Sequence, residues 1–315
     1  MSSQVLFSRF DRQHGPRQIA EATAADRFDL PAFLGASGLG WTVTKKQLAV
    51  APGDDLAGTI ADDVFGVFRT DNWQCLAACG RTYRPLQNPT IFEQFRPFVD
   101  CGAMAFERAG SFDGGRKVFV QARLTDDDAD LGGGDRIAPT LLLASSHDGS
   151  LATTGFFTPK RLFCDNQLPA LQRAGALFKI RHTAGQLDSL AAAQRIVATA
   201  REQFDGTIAA YKKLMARRIS HRELAEYARA VLQIDDGAKP SPRIANQFDR
   251  VLRLALYGRG QSAGELTAWS ALNGVTEWTT HYRQRTAAER EKSVWFGTSA
   301  ETNRRGLALA LQLAT

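Results

Sequence analysis

At 315 residues the chain is long enough for one large domain or two small ones around a substantial hydrophobic core. Its 44% hydrophobic and 23% charged residues are those of an ordinary globular protein and exclude disordered, fibrous and membrane-embedded classes. The formal net charge of +6 comes wholly from residues 201–315, where 18 basic face 12 acidic residues; residues 1–200 hold 21 of each.

Residues 1–34 read as an N-terminal arm, with Pro16 and Pro31 as breaks. The opening MSSQVLFSRFDRQHG has an acid and no long apolar run, so it does not read as a secretory signal. No stretch approaches the length of a membrane span, the C-terminal Gly306–Thr315 included. Four cysteines (Cys75, Cys79, Cys101, Cys164) fit a reduced, cytoplasmic protein.

Residues 35–185 read as a β-rich core. Val64–Arg69 and Lys117–Leu124 are β-branched, aromatic and partly alternating. A tight turn at Asp113-Gly114-Gly115 precedes the second. Ile137–Ser145 and Leu151–Thr158 flank Ser146-His147-Asp148-Gly149-Ser150, whose Asp-Gly pair tolerates positive φ and predicts a hairpin. One helix is expected in this half, Pro89–Phe106, with Ile91, Phe92, Phe95, Phe98, Val99 and Met104 at helical spacing behind Asn88-Pro89.

Residues 186–315 read as a helical region packed on that core. Leu187–Met215 is amphipathic, with Leu190, Ala193, Ile196, Val197, Ala200 and Phe204 on one face. Ser220 and Glu223 form a capping-box pattern opening a helix through Leu232. Asp235–Pro242 is a polar linker, and Arg243–Tyr257, Glu265–Arg283 and Asn303–Leu313 are further helices. The fold class expected is α+β: an antiparallel β-sheet with a packed helix in the N-terminal half, and a helical C-terminal half.

The chemistry that these residues exclude is informative. Cys75 and Cys79 are four apart, as on one side of a helical turn, yet no second Cys/His pair stands at zinc-ligand spacing, so no metal is expected. Glu277 and His281 lack the second histidine of a metalloprotease helix. Consecutive Ser146, His147 and Asp148 do not converge as a triad. No P-loop is present, so no nucleotide cofactor is expected.

Cations interleave with aromatics instead. Lys160 and Arg161 stand beside Phe156, Phe157 and Phe163; Lys179, Arg181 and His182 follow Phe178. Alternation along Phe178-Lys179-Ile180-Arg181 puts both cations on one face, as a phosphate track requires. Lys212, Lys213, Arg217, Arg218 and Arg222 offer a second basic surface. Residues 151–230 as a whole hold 13 basic against 6 acidic residues.

The order of His147-Asp148-Gly149, Thr158-Pro159-x-Arg161, Cys164-x-Asn166 and Arg181-His182-Thr183 resembles the phage/plasmid-like proteins of the domain-of-unknown-function 932 family. Tyr83–Asn88, Ala109–Arg116, Leu272–Trp278 (with Asn273 and Glu277) and Trp295–Thr298 agree in order, so the resemblance runs from about residue 35 to the C-terminus. It implies a mobile-element setting and no settled activity. Together these features predict a cytoplasmic DNA-binding accessory protein of a mobile element. It would bind or anneal single-stranded DNA without ATP, as a homo-oligomer, through Lys160, Arg161, Lys179, Arg181 and His182. The alternative is an enzyme acting on a phosphate or nucleotide at a pocket of His147, Asp148, Arg161 and Asn166.

Overall fold

The computed structural model describes residues 17–18, 29–49, 60–93, 104–125, 127–132, 135–162, 166–170, 177–180, 190–235, 239–259, 261 and 265–315. The fold is α+β, with antiparallel sheets in the N-terminal half and helices in the C-terminal half. β1 (Arg17–Gln18), β5 (Met104–Phe112), β6 (Lys117–Leu124), β8 (Arg136–Ser146), β9 (Thr153–Arg161) and β10 (Phe178–Ile180) neighbour one another in that order. β7 (Ala129–Asp130) pairs with β8. A second sheet holds β2 (Val43–Ala49), β3 (Ile60–Arg69) and β4 (Cys75–Cys79). The chain divides into two compact units, one of residues 1–125, 141–156 and 176–198, the other of 126–140, 157–175 and 199–315.

In the first unit β5 and β6 form an antiparallel pair joined through Asp113-Gly114-Gly115, all three at positive φ. β6 is buried along nearly its whole length, with Val118, Phe119, Val120 and Ala122 all fully enclosed, as befits an inner strand. Pro31 does not end the chain's order here. It occupies the first turn of α1 (Leu30–Ala36), where its missing N–H costs nothing, and Asp29 caps the helix from outside. Phe33 of α1 packs on Phe92 of α2 (Asn88–Glu93) and on Phe106.

The helix expected over Pro89–Phe106 is corrected. α2 is described over Asn88–Glu93, and Met104 and Phe106 are alternate buried positions of strand β5. Phe95, Phe98 and Val99 lie outside the described residues. Cys75 and Cys79 sit at the two ends of strand β4, not on a helical turn.

The second unit is mostly helical: α3 (Leu190–Ala216, from Thr199), α4 (His221–Leu232), α5 (Pro242–Tyr257), α6 (Ala268–Glu277), α7 (Ala287–Phe296) and α8 (Thr298–Leu313). A π-helical segment, Trp278–Tyr282, continues α6, closed by the bond from Arg283 N–H to Trp278 C=O. Phe204 and Tyr211 of α3 pack on Phe157 and Trp269. α5 and α6 approach closely at Gly274, where a Cβ would lie 2.7 Å from Ala255 N and 2.8 Å from Val251 O.

The capping box at Ser220 forms as the sequence indicates, with Ser220 Oγ accepting from Glu223 N–H and Glu223 accepting from Ser220 N–H. Ser220→Ala is therefore expected to cost about 1 kcal/mol, read as a lower denaturant midpoint. A midpoint equal to that of wild type would show that the cap is redundant. Among the described residues no helix is long and apolar enough to cross a membrane.

Candidate functional site

The His-Asp-Gly turn belongs to the first unit and joins β8 to β9. Ser146 Oγ bonds both Leu151 C=O and N–H, Asp148 accepts from Ser150 N–H, and Gly149 supplies φ of 73°. Burial pushes the Asp148 carboxyl up, but the Ser150 and Ser146 hydrogen bonds outweigh it and hold the group below its ordinary value.

His147 is wholly buried, its ring edge-on to Trp41 and its Nε2 2.9 Å from Asn88 Oδ1. Asn88 Nδ2 donates to Leu39 C=O and Trp41 C=O, so Asn88 Oδ1 is the acceptor and His147 Nε2 carries the proton. His147 thus ties three backbone segments together.

The other motif residues belong to the second unit. Lys160 and Arg161 end β9 and are buried, Arg161 to 1% exposure. These two cations, read from the sequence as nucleic-acid contacts, do not stand on an open face: Arg161 N–H bonds Asn166 C=O and Leu168 N–H bonds Pro159 C=O, so residues 166–168 cover that edge of β9. Arg161 grips Asp135 through Nε (2.6 Å) and Nη2 (2.7 Å), and its Nη1 donates to Arg259 C=O. Trp269 Nε1 donates to the same carboxylate.

Glu277 Oε2 accepts from Arg259 N–H, so Arg259 is held at both its amide and its carbonyl. Asn166 Oδ1 accepts from His281 Nε2. Asn273 donates to Trp269 C=O. The structure therefore gathers Arg161, Glu277 and Arg259 into one network and joins Asn166 to His281. His147 and Asp148 belong to the other unit, with Asn88 as the buried histidine's partner. The backbone of Lys179 pairs with Thr154; its side chain, with Arg181 and His182, lies outside the described residues.

Burial raises the Glu277 carboxyl above its ordinary value, against the Arg259 N–H bond and the charges of Arg259 and Arg161. A raised folded-state value means that folding favours the protonated form. Its contribution is complete below the ordinary carboxylate range and is lost as pH rises through the raised value. Glu277→Gln keeps an acceptor for Arg259 N–H and is expected to flatten this part of the stability–pH curve. An unchanged curve would show that Glu277 carries none of it.

A groove of about 910 Å³ opens elsewhere in the second unit. One wall is a stripe of α5, Arg243, Asn246, Gln247, Arg250 and Arg253, residues that recur every three or four positions and so share a face, with Asp249 and Leu254 beside them. The other is Trp278, Tyr282 and Arg283 of the π segment and its end. The Arg250 guanidinium lies 5.1 Å from the Tyr282 ring centre, and that of Arg283 lies 4.9 Å from the Trp278 ring centre.

Among the described residues none of Arg243, Arg250, Arg253 or Arg283 makes an ion pair. The second basic surface read from the sequence differs: Arg217 pairs with Glu223, Arg218 with Glu265 and Arg222 with Glu226. The groove thus holds four guanidinium groups that make no ion pair among the described residues, and one carboxylate, Asp249, beside an exposed tyrosine ring. Sequence reasoning placed the α5 helix but passed over its stripe, although the spacing of Arg243, Arg250 and Arg253 displays it.

The family described as Domain of unknown function (DUF932) matches residues 75–295, and the chain belongs to that family. The match takes in the Arg161 network and both walls of the groove. Comparison with curated proteins and with solved structures finds no match.

Proposed function

We propose that this member of the DUF932 family binds single-stranded nucleic acid in the arginine-lined groove of α5 and the π segment. The observation that carries the reading is four arginines against one carboxylate in the groove, none in an ion pair among the described residues, beside Tyr282 and Trp278. Guanidinium groups neutralise backbone phosphates, an exposed tyrosine ring stacks a base, and Asn246 and Gln247 can bond base edges. A duplex hides its base faces, so an aromatic wall favours a single strand. The same reading makes the protein a cytoplasmic, ATP-independent accessory of a mobile element, assembling as a homo-oligomer along a strand.

The enzymatic alternative loses ground because its groups are engaged. Arg161 holds Asp135 and Arg259 C=O, and His147 holds Asn88.

Fluorescence anisotropy with a labelled single-stranded oligonucleotide at several salt concentrations tests the proposal. If four arginines each neutralise one phosphate, log K should fall against log salt with a slope of roughly −3. A matched duplex should bind more weakly. A flat salt dependence, or no binding at low salt, would overturn the reading.

A further inference from the structure

The groove has an inner corner whose chemistry is more specific than its length. Arg283 is fixed there by three contacts: Nη1 donates to Thr302 Oγ1 (2.7 Å) and to Thr298 C=O (3.3 Å), and the guanidinium lies over Trp278. Both hydrogen bonds use Nη1. The Nε/Nη2 edge makes none among the described residues. That edge is the one with which Arg161 chelates Asp135, and it suits two oxygens of one anion.

A second cation shares the groove with this edge. Arg243 lines the same groove, makes no ion pair among the described residues and is exposed on α5. Burial lowers the Arg283 pKa, and repulsion from Arg305 and Arg243 lowers it further, against the pull of Glu301. Two guanidinium groups that line one groove favour an anion of more than one charge. A phosphodiester carries one negative charge, whereas a phosphate monoester carries about −1.5 to −2 at neutral pH.

We propose that the Nε/Nη2 edge of Arg283, with Arg243, is a subsite for a phosphate monoester on a nucleotide. The groove then seats the end of a strand, its terminal phosphate in this corner and an adjoining base on Tyr282. This rests on the nucleic-acid reading above and assigns it a substrate class, strands with phosphorylated ends.

The test compares one single-stranded oligonucleotide as 5′-phosphate, 3′-phosphate and unphosphorylated forms, together with the corresponding nucleoside monophosphate. One phosphorylated end is expected to bind about tenfold tighter than the unphosphorylated strand, the order of one added charge-assisted contact. Arg283→Gln should abolish the preference, so that phosphorylated and unphosphorylated strands bind alike, both more weakly than to wild type by the loss of one phosphate contact. Arg243→Gln, at an exposed position without ion pairs, should shrink the preference with unfolding unchanged, which guards against a folding defect at Arg283.

Equal affinity for all three strands overturns the subsite and leaves single-strand binding standing. A monophosphate binding as tightly as the best strand supports the subsite, identifies a mononucleotide as its source, and overturns the strand reading. Absence of binding by every probe overturns both.

Discussion

Arg161→Met is expected to destabilise the protein by about 3–5 kcal/mol, the largest effect of any single change considered, because it strands a buried carboxylate. Arg161 is 1% exposed, and its guanidinium supplies two of the three side-chain bonds to the Asp135 oxygens among the described residues. Without it the Trp269 indole N–H is the side-chain donor left to Asp135 among the described residues, and Arg259 C=O loses the Arg161 bond. The cost comes from the charge left behind, so the double variant Asp135→Asn with Arg161→Met should recover much of it. The amide is uncharged, and its carbonyl still accepts from Trp269. Urea unfolding of wild type and both variants measures this through the midpoint at constant slope. If Arg161→Met unfolds within about 1 kcal/mol of wild type, the pair is not the structural clamp argued here.

The same residue shows where sequence reading reached its limit. Lys160 and Arg161 beside phenylalanines look like a single-strand surface because local composition reports residue types, not partners. The partner, Asp135, stands 26 residues earlier, and the segment 166–168 that covers the strand edge follows a stretch with no strand pattern. Burial was therefore decided by non-local pairing.

Where the signal was local, the reading held. β6 runs over Lys117–Leu124 as alternation indicated, Asp148-Gly149 turns between β8 and β9, and Ser220 caps α4. The Pro89–Phe106 helix failed because Met104 and Phe106 fit two periods at once, and pairing with Leu124 and Ala122 of β6 settled them as strand. α7 was passed over although Thr286 and Glu289 spell a capping box, and that box is formed. The groove's second wall was not legible. A π segment adds a residue to each turn, so Tyr282 and Arg283 occupy faces that an α-helical wheel misplaces.

Charge reversal in the groove, Arg250→Glu with Arg253→Glu, is expected to weaken single-strand binding roughly a hundredfold or more at low salt. Each lost charge-assisted contact alone is worth about 1.5–3 kcal/mol, and the introduced carboxylates add repulsion. Stability should be nearly untouched, since both side chains are exposed and neither makes an ion pair among the described residues. The salt slope should become shallower by about 1.4, the share of two phosphates on a single strand.

Tyr282→Ala separates the other component of the same surface. It removes a ring worth about 1–3 kcal/mol if a base stacks on it, and it should leave the salt slope unchanged because no cation is lost. Tyr282→Phe should bind as wild type. The two variants thus move different observables, slope for the arginines and affinity at constant slope for the ring. A reversal that left both affinity and slope at wild-type values would place the contact surface away from α5. In that event Lys179, Arg181 and His182 become the cations to substitute next.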